Sequence, residues 1–176
     1  YLSTYRPFDN TNFVYFDRSL NEMVYQLPYF FPKNDSKNLM LCVSGIGSGK
    51  SFSCFMTNKV PCLDLLETSQ CFPLYLYPKT EEQKNLFSLF NDSKPKLESS
   101  ITDAAFKKFD EKFKGNVISY EDIFFYVYGI LHSKDYREKY KNNLTKELPR
   151  IPIVDDFDKF SEFNKAGRLL SKIHVD

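Results

Sequence analysis

The chain has 176 residues, 42% of them apolar and 17% aromatic, and its 24 Lys plus Arg against 23 Asp plus Glu leave a formal charge of +1. That is material for one domain burying roughly 70% of its extended surface, and near-neutrality excludes a global field, so any nucleic-acid or acidic partner has to be held by a local patch. No apolar run approaches the roughly 20 residues of a membrane helix, and Cys42, Cys54, Cys62 and Cys71 lack both paired zinc spacing and the density of a disulfide scaffold.

In chain order, the apolar runs 12–16 (NFVYF), 38–44 (NLMLCVS), 53–57 (SCFMT) and 71–77 (CFPLYLY) are bounded by turn residues and read as strands. They predict a small mixed β-sheet in the first half, with Pro73 at an edge or bulge because it cannot donate to a ladder. Pro28 and Pro32 make the intervening PYFFPKNDSKN a loop. Residues 1–80 hold 7 basic and 6 acidic side chains and residues 81–176 hold 17 of each, so the second half is the more solvated and its period turns helical. Residues 80–99, with a Thr80 cap and Gln83 three residues on, read as an inserted surface segment. Ser100 with Asp103 signals a helix carrying Ile101, Phe106, Phe109 and Phe113, which Gly115 stops. Ser119 with Asp122 repeats the signal before Ile123, Val127, Ile130 and Leu131. Ser133 opens a third helix with Tyr136, Tyr140 and Leu144 on one stripe. Pro149 and Pro152 then force an extended link, and Asp155 or Asp156 caps a last helix striped by Phe157, Phe160, Phe163, Gly167 and Leu170. The fold class is therefore α+β within one domain: a sheet-rich part over 1–79, the inserted segment, and a helical C-terminal subdomain over 100–176. The cysteines read as reduced core thiols of a cytoplasmic protein, and a start at Tyr1 reads as part of a longer chain.

Among motifs, SGIGSGKS over residues 44–51 imitates a phosphate-binding loop, which requires GxxxxGK[ST] opening a helix so that backbone amides face the phosphates. Ser44 replaces the first glycine, and FSCFMTNKVP after it reads as a strand. A glycine-rich hairpin connection is the simpler reading, with an independent nucleotide-binding module as the alternative. His132 and His174 fall near helix C-termini, where the dipole favours a cation, and neither has a Ser or Cys partner. Asp64 with Glu82 and Lys84 lacks the apolar strand that would fix Mg²⁺ ligands, and Asp110, Glu111, Glu121 and Glu138 read as a solvated face. No catalytic residue and no metal ligand is assigned. What remains is recognition: Arg6, Arg18, Lys33, Lys37, Lys50 and Lys59 lie in aromatic or turn contexts, where loops of a rigid sheet can carry them to phosphates and base edges. For each one alone, a plain surface charge is the competing explanation.

Three stretches resemble the C-terminal region of type ISP restriction-modification enzymes. They are YRPFDNTNFVYFDRSL from Tyr5, NLMLCVSGIGSGKSFSCFMTNKVPCLDLLETSQCFPLYLY from Asn38, and DIFFYVYGILHSKDYREKYKNNLTKELPRIPIVDDFDKFSEFNKAGRLLSKIHVD from Asp122. The resemblance implies a target-recognition domain for double-stranded DNA that positions an adenine for an upstream N6-methyltransferase domain by base flipping. The implied parent is an enzyme with nuclease, helicase-like ATPase and methyltransferase parts using S-adenosylmethionine, ATP and Mg²⁺. This segment itself carries no NPPY or FxGxG motif and is expected to hold no cofactor and to catalyse nothing. Its partners would be duplex DNA and the motor and methyltransferase domains, with no membrane. Arg6, Arg18, Lys33, Lys37, Ser48, Lys50 and Lys59 are the expected DNA contacts. The competing role is a structural coupler between motor and methyltransferase that never touches bases.

Overall fold

The computed structural model describes residues 2–12, 26–62, 64–77 and 97–175. Short strands dominate its first half: β1 (Leu2–Arg6), β2 (Asp9–Asn12), β3 (Met40–Val43), β4 (Cys54–Thr57), β5 (Val60–Pro61), β6 (Gln70–Pro73) and β7 (Tyr75–Leu76), with β8 (Glu98–Ser99) at the end of the segment expected as an insertion. The α+β class holds, but the single sheet divides into three, ordered β2-β1-β5, β4-β3-β6 and β7-β8. Only the first is mixed, because β1 pairs antiparallel with β2 and parallel with β5. The central β3 is buried along its whole length and pairs antiparallel on both sides, Val43 opposite Cys54 and Gln70, Met40 opposite Thr57 and Pro73. Pro73 therefore sits on an edge strand, where its missing donor is harmless. Part of the loop expected over 28–38 is a single helical turn, α1 (Leu27–Phe30), with Pro28 at its start, where the N–H would be unsatisfied anyway. Of the strand expected over 12–16 only Asn12, the end of β2, is among the described residues, and the Thr80 cap lies outside them.

The second half is helical: α2 (Asp103–Lys112), α3 (Tyr120–His132), α4 (Lys134–Lys139), α5 (Lys141–Leu144) and α6 (Phe157–Val175). The Ser119 capping box is complete, Ser119 Oγ accepting from Asp122 N and the Asp122 carboxylate accepting from Ser119 N. Ser133 caps α4 through Tyr136 N, and the Asp156 carboxylate accepts from Lys159 N at 2.8 Å. Two expectations shift. The α2 cap is Thr102, which accepts from Ala105 N, while Ser100 Oγ donates instead to the Pro73 carbonyl. The helix expected from Ser133 through Leu144 breaks at Tyr140, leaving α4 and α5 as two short pieces.

The packing of α3 on α6 is the most extensive contact between any two elements, and two glycines permit it. A Cβ on Gly167 would overlap Phe125 O and lie 3.0 Å from Gly129 N, and one on Gly129 would overlap Phe163 O. Around this crossing Phe109, Phe113, Tyr126 and Phe160 stack in one cluster that continues to Leu41, Val43 and Met56 of the sheet. Polar groups seal its rim. Asn164 Nδ2 donates to Asp122 O at 2.7 Å and Arg168 Nη2 to Asp122 Oδ1 at 2.9 Å. Burial alone would raise the Asp122 pKa, but the bonds from Ser119 and Arg168 outweigh it and hold the carboxyl below its ordinary value. The helical subdomain thus braces β3 and β4 from one side. A smaller cluster of Phe31, Met40, Cys42, Phe55, Val60 and Leu65 fills the other.

Candidate nucleic-acid interface

The antiparallel register of β3 and β4 sorts the candidate cations by end. Residues 58–59 follow β4 where β3 begins, so Lys59 lies beside the 31–39 segment; residues 44–53 join the other ends of the two strands. The 31–39 segment is pinned. Ser36 N donates to Lys33 O at 3.1 Å while Lys33 N donates to Ser36 Oγ at 2.9 Å. The buried Asn38 side chain donates to Phe30 O and Tyr75 O and accepts from Leu39 N and Tyr75 N, and Tyr77 OH donates to Lys37 O at 2.9 Å. These bonds fix the loop backbone while the Lys33 and Lys37 side chains stay exposed. Lys59 is held through its own N–H, which donates to Thr57 Oγ1 at 3.1 Å, and Thr57 in turn shares a 2.7 Å hydrogen bond with Thr4. Lys59, Asn34 and Asp35 line one cleft of about 200 Å³.

At the opposite end, the SGIGSGKS string is the hairpin connection between β3 and β4. Ser44 N donates to Ser53 O at 2.9 Å, and Gly47 takes φ +80°. Gly45 is required because its Cβ would overlap Thr68 O and Oγ1. Extended strand, not helix, follows Lys50 and Ser51, so the amides and dipole of a phosphate loop are not assembled there. The Glu67 carboxylate also sits against the loop, accepting from Ser48 Oγ at 2.8 Å. Ser48 is therefore a brace of the loop, while Lys50 is exposed.

Arg6 ends β1. Its Nη1 donates to Asp64 O, and its guanidinium lies 4.8 Å from the Tyr5 ring centroid. At the adjoining turn Phe8 is 69% exposed with φ +65°, a conformation costly for a side chain with a Cβ. Its ring meets Phe55 edge-on at 5.2 Å and His174 at 5.9 Å, which anchors the turn to α6. Arg18 lies outside the described residues. The structure thus brings the Lys33–Lys37 loop and Lys59 together and places Lys50 in the connection at the other end of β3, a strand about 10 Å long at 3.3 Å per residue.

Other readings are corrected. Glu121 is half-buried and accepts from Tyr75 OH at 2.6 Å; that bond lowers its pKa, while burial and the same bond push the Tyr75 hydroxyl to about 12. His132 does end α3, but it is not a dipole-stabilised cation: burial first, then Arg137 and His174, lower its pKa to about 4. The four cysteines are free, with Cys42 and Cys54 buried. A group the sequence reading passed over is Lys134, Arg137 and Lys141, which face the glycine loop across a groove. Lys134 and Arg137 share one side of α4 at i, i+3 spacing and Lys141 opens α5, yet the aromatic stripe of the same segment carried the reading.

Cations carried on pinned loops of small sheets, with a helical subdomain bracing them, define an α+β recognition domain. The chain belongs to the Type ISP C-terminal specificity domain family, whose model matches residues 1–176. Among solved structures it is similar to a chain of the DrdV–DNA complex, with 40% identity and a TM-score of 0.83 over 99% of this chain and 15% of that one. It is also similar to the ATP-dependent Type ISP restriction-modification enzyme LlaBIII bound to DNA, with 31% identity and a TM-score of 0.80 over 99% and 11%. A third is a nuclease-deletion mutant of the Type ISP enzyme LlaGI with a DNA substrate mimic, at 29% identity and a TM-score of 0.71 over 99% and 13%. The chain therefore spans only about a seventh of these relatives or less. No curated protein matched it.

Proposed function

We propose that this chain recognises a double-stranded DNA sequence on behalf of a Type ISP restriction-modification enzyme, holding the duplex so that a methyltransferase domain elsewhere in the parent protein reaches its target adenine. The observation that carries this reading is the match of the whole chain to a specificity-domain family, supported by three similar structures that all contain DNA or a DNA mimic. The parent would supply the S-adenosylmethionine, ATP and Mg²⁺ chemistry and work in the cytoplasm; among the described residues no helix is long and apolar enough to cross a membrane.

In this reading Lys33, Lys37 and Lys59 at one end of β3, Lys50 at the other, and Arg6 at the end of β1 set register on phosphates. Asn and Ser side chains of the same loops are of the type that reads base edges. A bidentate base contact is worth about 1–3 kcal/mol of discrimination, so two or three of them define a site. The test is selection from a randomised duplex pool by the protein carrying this chain. The reading expects enrichment of one asymmetric sequence, which the Lys33→Ala, Lys37→Ala, Lys59→Ala triple variant binds more weakly. A pool returned without enrichment refutes it.

A further inference from the structure

The groove between the glycine loop and the α4–α5 segment has a volume of about 460 Å³, with Ser51 and Phe52 on one wall and Lys134, Arg137 and Lys141 on the other. Arg137 is built in rather than dangling. Its Nε donates to Leu131 O at 2.6 Å, completing the C-terminus of α3, and its Nη2 donates to Cys54 Sγ at 3.3 Å. Its guanidinium carbon also lies 5.7 Å from the Phe52 ring centroid. Two donor nitrogens are thereby spent on the protein, while Nη1 keeps its hydrogens for a ligand. Among the described residues neither Arg137 nor Lys141 has a carboxylate partner, and Lys134 has only a 3.9 Å surface pair with Glu138, of a kind worth about 0–1 kcal/mol. His132 also lines the groove, and its Nε2 is buried with no hydrogen-bond partner among the described residues.

We propose that this groove is a second DNA contact, one that takes phosphodiester groups of a single strand and so recruits the helical subdomain to the duplex. This rests on the recognition reading and adds a site to it. The spacing argues for a polyanion rather than one small ion. Lys134 and Arg137 stand at i, i+3 on α4 and Lys141 opens α5 beyond the break at Tyr140, so the three cations follow one another along the groove rather than gathering at one point. Three cations in succession, against Glu138 as the carboxylate of the lining and with Ser51 and Phe52 also lining the groove, suit a strand of duplex and carry no sequence information.

The experiment is a salt titration of duplex binding by the protein carrying this chain, comparing wild type with Lys134→Ala/Lys141→Ala. Lys134 is highly exposed, at 86%, and Lys141 is exposed, so the variant retains the core. The expected result is a fall of about 2 in the slope of log affinity against log salt, with affinity for preferred and unrelated duplexes reduced alike. An unchanged slope overturns the groove, as does an equal fall in Lys107→Ala/Lys114→Ala, which alters α2 and the turn after it. Saturable binding of ATP or inorganic phosphate to the DNA-free protein, lost in the double variant without a change in duplex affinity, overturns the assignment to DNA. If wild type retains its sequence preference while the slope does not move, the groove fails and recognition stands. If wild type shows no preference, recognition itself fails.

Discussion

Gly167→Ala isolates the feature that holds the two halves of the helical subdomain together. In an isolated helix the change is stabilising by about 1 kcal/mol, because alanine is the better helix former. Here the added Cβ would overlap Phe125 O and sit 2.8 Å from Phe125 C and 3.0 Å from Gly129 N. Ordinary contact begins near 3.4 Å, so α6 has to retreat from α3 by at least ~0.6 Å, and the obstacle is backbone, which cannot rotate away. Overpacking of this kind costs about 1–3 kcal/mol, and the retreat also stretches the Asn164 and Arg168 bonds to Asp122. With the propensity gain set against this, a net loss of about 1 kcal/mol is expected, which for a chain of this size lowers Tm by about 2–4 °C. Urea unfolding followed by far-ultraviolet circular dichroism gives the free energy, and an unchanged slope with denaturant shows that the unfolded state is not the cause. Gly47→Ala is the control: its φ is +80° but a Cβ there meets nothing within 4 Å, so only the local strain of about 1 kcal/mol is expected. A Gly167→Ala protein as stable as wild type refutes the close-crossing argument, because the sign itself would be wrong.

Two further outcomes follow from the same core. His132 is held neutral in the folded chain with its pKa lowered from 6.5 to about 4, so the unfolded chain binds the proton first and stability falls as pH drops from about 6.5 towards 4. His174, lowered by burial, adds to the same loss. His132→Phe is expected to flatten the stability–pH curve in that window, and a slope equal to wild type counts against a buried neutral imidazole. Asp122→Ala removes the reciprocal half of the Ser119 cap together with the acceptor for Arg168 and Asn164 Nδ2, and a loss of about 2 kcal/mol in urea unfolding is expected. A change below about 0.5 kcal/mol would assign this network to solvent.

Helix starts were legible because capping chemistry is local. Ser119, Ser133 and Asp156 each announce a start within three residues, and the structure uses all three. The α2 start was misread because Ser100, although well spaced from Asp103, finds a better acceptor in the Pro73 carbonyl across the chain. Strands β3, β4, β6 and β7 were legible in the apolar runs, but β1, β2, β5 and β8 and the division into three sheets were not, since pairing joins residues as distant as Tyr75 and Ser99. The conversion of SGIGSGKS into a hairpin connection was foreseen from its missing glycine and the strand after it. Its brace was not, because Glu67 reaches Ser48 only through the positive-φ turn at Glu67 and Thr68. The cations show the same boundary. Individual residues could be named from their turn contexts, while their sorting to opposite ends of β3, and the gathering of Lys134, Arg137 and Lys141 on one groove, depends on register and helix packing.

The most direct test of target recognition is exchange of residues 1–176 for the equivalent segment of a relative with a different target, followed by sequencing of the methylated positions in DNA exposed to the hybrid. The account predicts that the modified sequence changes to that of the donor while methylation continues. A hybrid that methylates its original sequence would contradict it and leave the segment a coupler of the parent's other domains.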